Sequence, residues 1–138
     1  MGPGAVLYVE DDEMDVLFMR RAWHKAGLLN PLHVVIDGQQ AEAYLSGEAP
    51  YADRTMYPLP WLVLLDLKLP KQTGLEVLGW IRQQPPPIGA LRVIVFSSSN
   101  SPRDMQQAHA LGVGAYLVKT AAPQALDELV TRLKTFWL

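Results

Sequence analysis

Leu62-Val63-Leu64-Leu65-Asp66-Leu67-Lys68-Leu69-Pro70 is the stretch on which the fold turns. Its first four residues are apolar with no polar alternation, and an acid ends the run. A run this short and this unbroken suits a strand buried on both faces, as in a parallel sheet covered by helices. Working outward, residues 5–9, 93–96 and 115–118 repeat the pattern, and residues 32–36 give a weaker fifth example.

Between these runs the apolar period becomes helical. Val16, Met19, Trp23 and Ala26 recur at helix spacing and Gly27 supplies a stop signal. Asp37-Gly38 turns the chain into a second helix over 39–45, closed by Gly47. A third covers 74–82, with Val77, Leu78 and Ile81 on one face, until Pro85-Pro86-Pro87 forbids continuation. Ser101-Pro102 opens a fourth in the N-cap, N1 manner, ending at Leu111-Gly112. Pro123 opens the last, with Leu126, Leu129, Val130 and Leu133 as its buried stripe. Strand and helix thus alternate five times, which predicts an α/β fold: a doubly wound, five-stranded parallel sheet with right-handed crossovers, (βα)5 and flavodoxin-like. Residues 48–60, with three prolines and two tyrosines, read as a loop insertion before the third strand.

Size and composition fit one domain over 1–138. The chain has 138 residues, 49% hydrophobic and 19% charged, which excludes a disordered chain. A formal charge of -2 argues against direct DNA binding, and the absence of cysteine removes disulfides, thiolate metal sites and cysteine nucleophiles. No apolar run approaches the roughly 20 residues that span a bilayer, and no signal peptide is apparent, so a cytoplasmic protein is expected. Five βα units consume nearly the whole length, so no output domain is expected after the fifth helix.

In open α/β sheets ligands bind at the carboxyl ends of the strands. Here those ends carry Glu10-Asp11-Asp12, Asp66, Ser97 and Lys119. Taken singly each has a bland role: Asp12 as a helix N-cap, Ser97 as a turn residue, Lys119 as a solvated strand end. Together, acids, a hydroxyl and an ammonium converge on one edge from four strands. Two carboxylates about 4 Å apart repel by roughly 4 kcal/mol at an effective dielectric near 20. Glu10, Asp11 and Asp66 therefore need a cation or shifted pKa values. An all-oxygen ligand set selects a hard cation, with Mg²⁺ the natural candidate. Such a site suits a dianionic phosphoryl group.

The chain resembles the receiver domain of two-component response regulators over nearly its whole length. The resemblance rests on Leu7-Tyr8-Val9-Glu10-Asp11-Asp12, Leu65-Asp66-Leu67-Lys68-Leu69-Pro70 with Gly74, Val95-Phe96-Ser97, and Tyr116-Leu117-Val118-Lys119. It implies that Asp66 accepts a phosphoryl group from the phosphohistidine of a sensor kinase. It further implies that Asp11 binds Mg²⁺ directly, Glu10 through water or as support, and Lys68 through its backbone carbonyl. Ser97 would hydrogen-bond a phosphoryl oxygen, Lys119 would pair with the group, and Tyr116 would be the aromatic switch that turns inward when Ser97 moves.

The family's lysine is commonly followed by a cis proline, whereas Thr120 follows here, so this loop is either strained or differently shaped. Ser97 replaces the commoner threonine and keeps its hydroxyl. The insertion, the Asp66-Leu67-Lys68-Leu69-Pro70-Lys71 run and the terminal Phe136-Trp137-Leu138 are similar to the stand-alone regulators serving bacterial and cyanobacterial phytochromes. That likeness implies a phytochrome-type histidine kinase as donor, an unknown downstream protein, and a homodimer formed through helix 4, strand 5 and helix 5 with help from a short extension over 134–138. Phe136 and Trp137 have nothing after them to cover them, although packing on their own domain is the bland alternative.

Trp23, Trp61 and Trp80 read as core or partly buried surface, and His24, His33 and His109 lack metal spacing. Arg20-Arg21 reads as a solvated helix face, on the helix where such receivers meet their kinase. Three other functions fit these residues less well. A phosphorylation-independent interaction module would not need the full acid, hydroxyl and lysine set. A flavodoxin-like FMN binder would want a Ser/Thr/Gly-rich loop where Glu10-Asp11-Asp12 would repel phosphate. A haloacid dehalogenase-type phosphatase would want a second Asp where this chain has Lys68.

Overall fold

An apolar run stays unbroken only if both faces of its strand are covered, and the two cores of this protein show how that is done. The structure is a computed structural model that describes residues 3–120 and 122–138. Five parallel strands, β1 (Val6–Val9), β2 (Leu32–Val35), β3 (Leu62–Leu65), β4 (Arg92–Ser97) and β5 (Ala115–Val118), form one sheet in the order β2-β1-β3-β4-β5. The helices are α1 (Glu13–Lys25), α2 (Gly38–Ser46), α3 (Gly74–Gln83), α4 (Pro102–Ala110) and α5 (Pro123–Phe136). The fold class is therefore the doubly wound, five-stranded parallel sheet read from the sequence.

Alternate residues of each strand go to opposite cores. Leu7, Val9, Val63, Leu65, Val93 and Val95 pack with Ala41, Tyr44 and Leu45 of α2, with Val77, Leu78 and Ile81 of α3, and with Ala108 of α4. Val6, Tyr8, Leu62, Leu64 and Ile94 pack with Met19, Ala22 and Trp23 of α1 and with Leu129, Val130 and Leu133 of α5. The weak signal over 32–36 has the same cause. β2 is an edge strand, only Val35 of it is fully buried, and Ile36 beyond it is exposed.

The helices start where the sequence supplies caps. Asp12, Asp37, Thr73 and Ser101 each accept a backbone N–H of the first helical turn, and Thr73 with Glu76 forms a full capping box. Residues 48–60 form the loop between α2 and β3. It is pinned by Arg54, whose guanidinium donates to the Tyr44 and Leu45 carbonyls at 2.7 Å each, at the C-terminal end of α2. Tyr51 and Tyr57 stack on Tyr44 beneath it.

At the C-terminus α5 runs through Phe136, so residues 134–136 form its last turn. Trp137 turns back onto its own domain: Arg92 and the Trp61 indole both donate to its carbonyl at 2.9 Å. Phe136 is 75% exposed. Trp61 is not core either. It is 56% exposed in the loop before β3, with the Arg92 guanidinium 4.5 Å from its ring. Trp23 is buried. Among the described residues the cis peptide bonds fall at Ala49–Pro50 and Pro86–Pro87, and Lys119–Thr120 is not one of them.

Candidate functional site

Parallel pairing sets the strand ends level. Val9 lies beside Leu65, Leu65 beside Val95, and Ser97 beside Val118. The residues that follow therefore emerge together at one sheet edge. Glu10 and Asp66 extend the ladder by donating backbone N–H groups to Val35 and Val9, and Lys119 donates its own to the Ser97 carbonyl at 2.8 Å. Because these backbones are tied to the sheet, their side chains converge on one place.

Asp66 is 4% exposed and its carboxylate is held from both sides. The Lys68 backbone N–H donates to Oδ1 at 3.0 Å and the Lys119 ammonium to Oδ2 at 2.9 Å. The loop returns tightly behind it. A Cβ on Gly74 would fall 2.2 Å from the Asp66 carbonyl oxygen, so only glycine lets α3 begin here. Lys71, in the same loop, has a left-handed φ of 69° and lies 3.6 Å from the Asp37 carboxylate.

Glu10 is 1% exposed. One of its oxygens accepts the Tyr8 hydroxyl at 3.3 Å and the Lys119 ammonium, and the other accepts the Asp12 N–H at 3.2 Å. Burial pushes its carboxyl up to about 7, with the Asp66 charge adding to the rise, while Lys119 and the Asp12 N–H offset part of it. Asp11 is exposed. Carboxylate oxygens of Glu10, Asp11 and Asp66 lie within 4.8 Å of one another. Asp12 is the α1 N-cap and is not one of the three clustered acids.

The Lys119 side chain is 15% exposed, and its ammonium reaches Glu10, Asp66 and Asp15, the last at 2.8 Å. Burial alone would lower its pKa, but hydrogen bonds to Asp15, Glu10 and Asp66 more than reverse that and keep it a cation. Asp15 was not legible as a site residue. It sits 104 positions from Lys119, in a first helical turn where an acid is ordinary. The site therefore sets four carboxylates against one ammonium. An all-oxygen donor set with excess negative charge and short oxygen–oxygen spacing fits a hard divalent cation.

On the β4 side, Ser97 is fully buried and its Oγ accepts the Ser99 N–H at 3.3 Å. Ser99 donates from its hydroxyl to Asp104 in α4 at 2.6 Å, and its carbonyl accepts the Tyr116 hydroxyl at 2.9 Å. Ser97, Tyr116 and the start of α4 are thus joined through one short loop. A cavity of about 650 Å³ between α1 and α5 reaches the site from the other side, with Asp15 and Lys119 in its wall. Among the described residues no helix is long and apolar enough to cross a membrane.

Comparison with known proteins points the same way. The family described as the response regulator receiver domain matches residues 6–131. The chain is 32% identical to response regulator Rcp1 of Synechocystis sp. over 136 residues, covering 99% of this chain and 90% of that relative. The crystal structure of the Mn²⁺-bound form of Rcp1 superimposes with a TM-score of 0.87, covering 99% of this chain and 95% of that one. The phosphorylated cyanobacterial phytochrome response regulator RcpA gives 0.89 at 32% identity, over 99% and 94% of the two chains. RPA3017 of R. palustris, a response regulator in red light signaling, gives 0.89 at 35% identity, over 98% and 94%.

Proposed function

Because the chain belongs to the response regulator receiver domain family, we propose that it is a phosphorylation-controlled switch of a two-component relay with Asp66 as phosphoacceptor. The observation that carries this reading is the surround of Asp66. It is a buried carboxylate with an ammonium 2.9 Å from one oxygen and two further carboxylates grouped with it. In the reaction, an Asp66 oxygen attacks the phosphorus of a phosphohistidine. The new P–O bond forms as the P–N bond breaks, and the imidazole, already protonated on its other ring nitrogen, leaves as the neutral base. Catalysis by the protein is confined to this transfer and to loss of its own phosphoryl group.

Glu10, Asp11, Asp66 and the Lys68 backbone carbonyl would hold Mg²⁺, which when bound neutralises charge on the phosphoryl oxygens. Lys119 pairs with one of those oxygens and the Ser97 hydroxyl bonds another. For Ser97 to reach the group, its bond with the Ser99 N–H has to rearrange, and the Tyr116 hydroxyl leaves the Ser99 carbonyl as its ring turns inward. The change then passes to the α4, β5 and α5 surface, where a homodimer or a downstream protein reads it.

The donor is a sensor histidine kinase of phytochrome type, acting in the cytoplasm; the phytochrome part is supported by the likeness to RcpA, described as a phytochrome response regulator, and to RPA3017, described as a response regulator in red light signaling. The test is transfer of labelled phosphate from a panel of phytochrome-type kinases, with particle size measured before and after. Label on the wild type, none on Asp66→Asn and a change of mass support the proposal. Full labelling of Asp66→Asn overturns the acceptor, and an unchanged size overturns phosphorylation-dependent dimerisation.

A further inference from the structure

An acid three residues after a helix N-cap has an ordinary task, to reach back and accept the N-cap's own backbone N–H. Glu76 does this for Thr73 at the start of α3. Asp15 stands in the same relation to Asp12 but does not do it. The Asp12 N–H is taken by Glu10 Oε2 at 3.2 Å. The Asp15 backbone N–H is satisfied by Asp12, which leaves the Asp15 carboxylate to face Lys119 at 2.8 Å.

The ammonium has three N–H donors, and three carboxylates take them: Glu10, Asp15 and Asp66. A phosphoryl group on Asp66 must win at least one of these donors. Glu10 is buried and also tied to Tyr8 and Asp12, whereas the Asp15 side chain is 37% exposed. Asp15 and Lys119 both line the cavity between α1 and α5, which gives the ammonium and carboxylate room to separate. Resting on the phosphoacceptor reading above, we infer that Asp15 is a positioning residue: it holds the Lys119 ammonium in the unphosphorylated protein and competes with the phosphoryl group for it. Asp15 thereby sets how readily the switch engages.

The probe is beryllofluoride, a stable mimic of a phosphoryl group on a carboxylate, titrated into the full chain at saturating Mg²⁺. Asp15→Asn keeps the size of the side chain and removes the charge, and binding should tighten about two- to fivefold, the worth of an exposed ion pair. Asp15→Glu should bind like the wild type. In a Lys119→Met background the gain from Asp15→Asn should vanish, because the effect runs through the ammonium. Equal affinity of Asp15→Asn and wild type, or an equal gain without Lys119, overturns the inference and leaves Asp66 as acceptor untouched. Failure of the wild type to bind beryllofluoride with Mg²⁺ removes the phosphoacceptor reading, and this inference with it.

Discussion

Glu10 shows how one buried side chain ties this site to pH. Its carboxyl titrates near 7 rather than at the ordinary 4.5, because burial disfavours its charge and Asp66 repels it. Between those values the folded chain keeps a proton that the unfolded chain has lost. This group therefore favours the fold most below 4.5, and its contribution is lost as pH rises through about 7. A divalent cation reverses the preference, since it needs Glu10 ionised and displaces that proton. Mg²⁺ affinity, followed by calorimetry, should therefore be weaker at pH 6 than at pH 8, by up to about tenfold per unit below the Glu10 pKa. Equal affinities at the two values would contradict the coupling. The role of Asp15 was invisible at this scale in the sequence. An acid in a first turn is common, and only the fold brings Lys119 to it from 104 positions away.

Among the elements, the central strands were readable because α helices cover both their faces, so their apolar runs have no gaps. β2 was harder, as an edge strand with three half-buried residues. At the C-terminus the apolar stripe of α5 ends at Leu133, whose carbonyl accepts the Trp137 and Leu138 N–H groups at 2.9 Å each. Trp61, read as core or partly buried surface, sits at the surface in the loop before β3, where the Arg92 guanidinium and the Trp137 carbonyl occupy its ring and N–H. The N-caps Asp12 and Ser101 were legible because each needs only a local residue. Asp12 takes the Met14 and Asp15 N–H groups at 2.9 and 3.0 Å, directly after the site. Asp12→Ala should cost about 1 kcal/mol of stability, read as a lower urea midpoint at unchanged slope. A midpoint equal to that of the wild type would deny the cap its role.

For the whole molecule, the same sheet that makes the core also builds the site. Glu10, Asp66 and Lys119 follow directly on β1, β3 and β5, whose apolar residues are buried or half-buried except for the exposed Val118, so core packing and site geometry share one scaffold. Leu64, fully buried between β3 and the α1–α5 layer, should cost about 2–5 kcal/mol on truncation to Ala. Leu29, 82% exposed, should change stability by less than about 0.5 kcal/mol on the same truncation. Similar unfolding midpoints for the two variants would contradict the packing described here. The central claim concerns Asp66, and peptide mass mapping after treatment with acetyl phosphate and Mg²⁺ tests it most directly. The account predicts a single phosphoryl adduct on Asp66, absent from Asp66→Asn and strongly reduced when a chelator removes the metal. An adduct on another residue, or one formed equally well in Asp66→Asn, would contradict it.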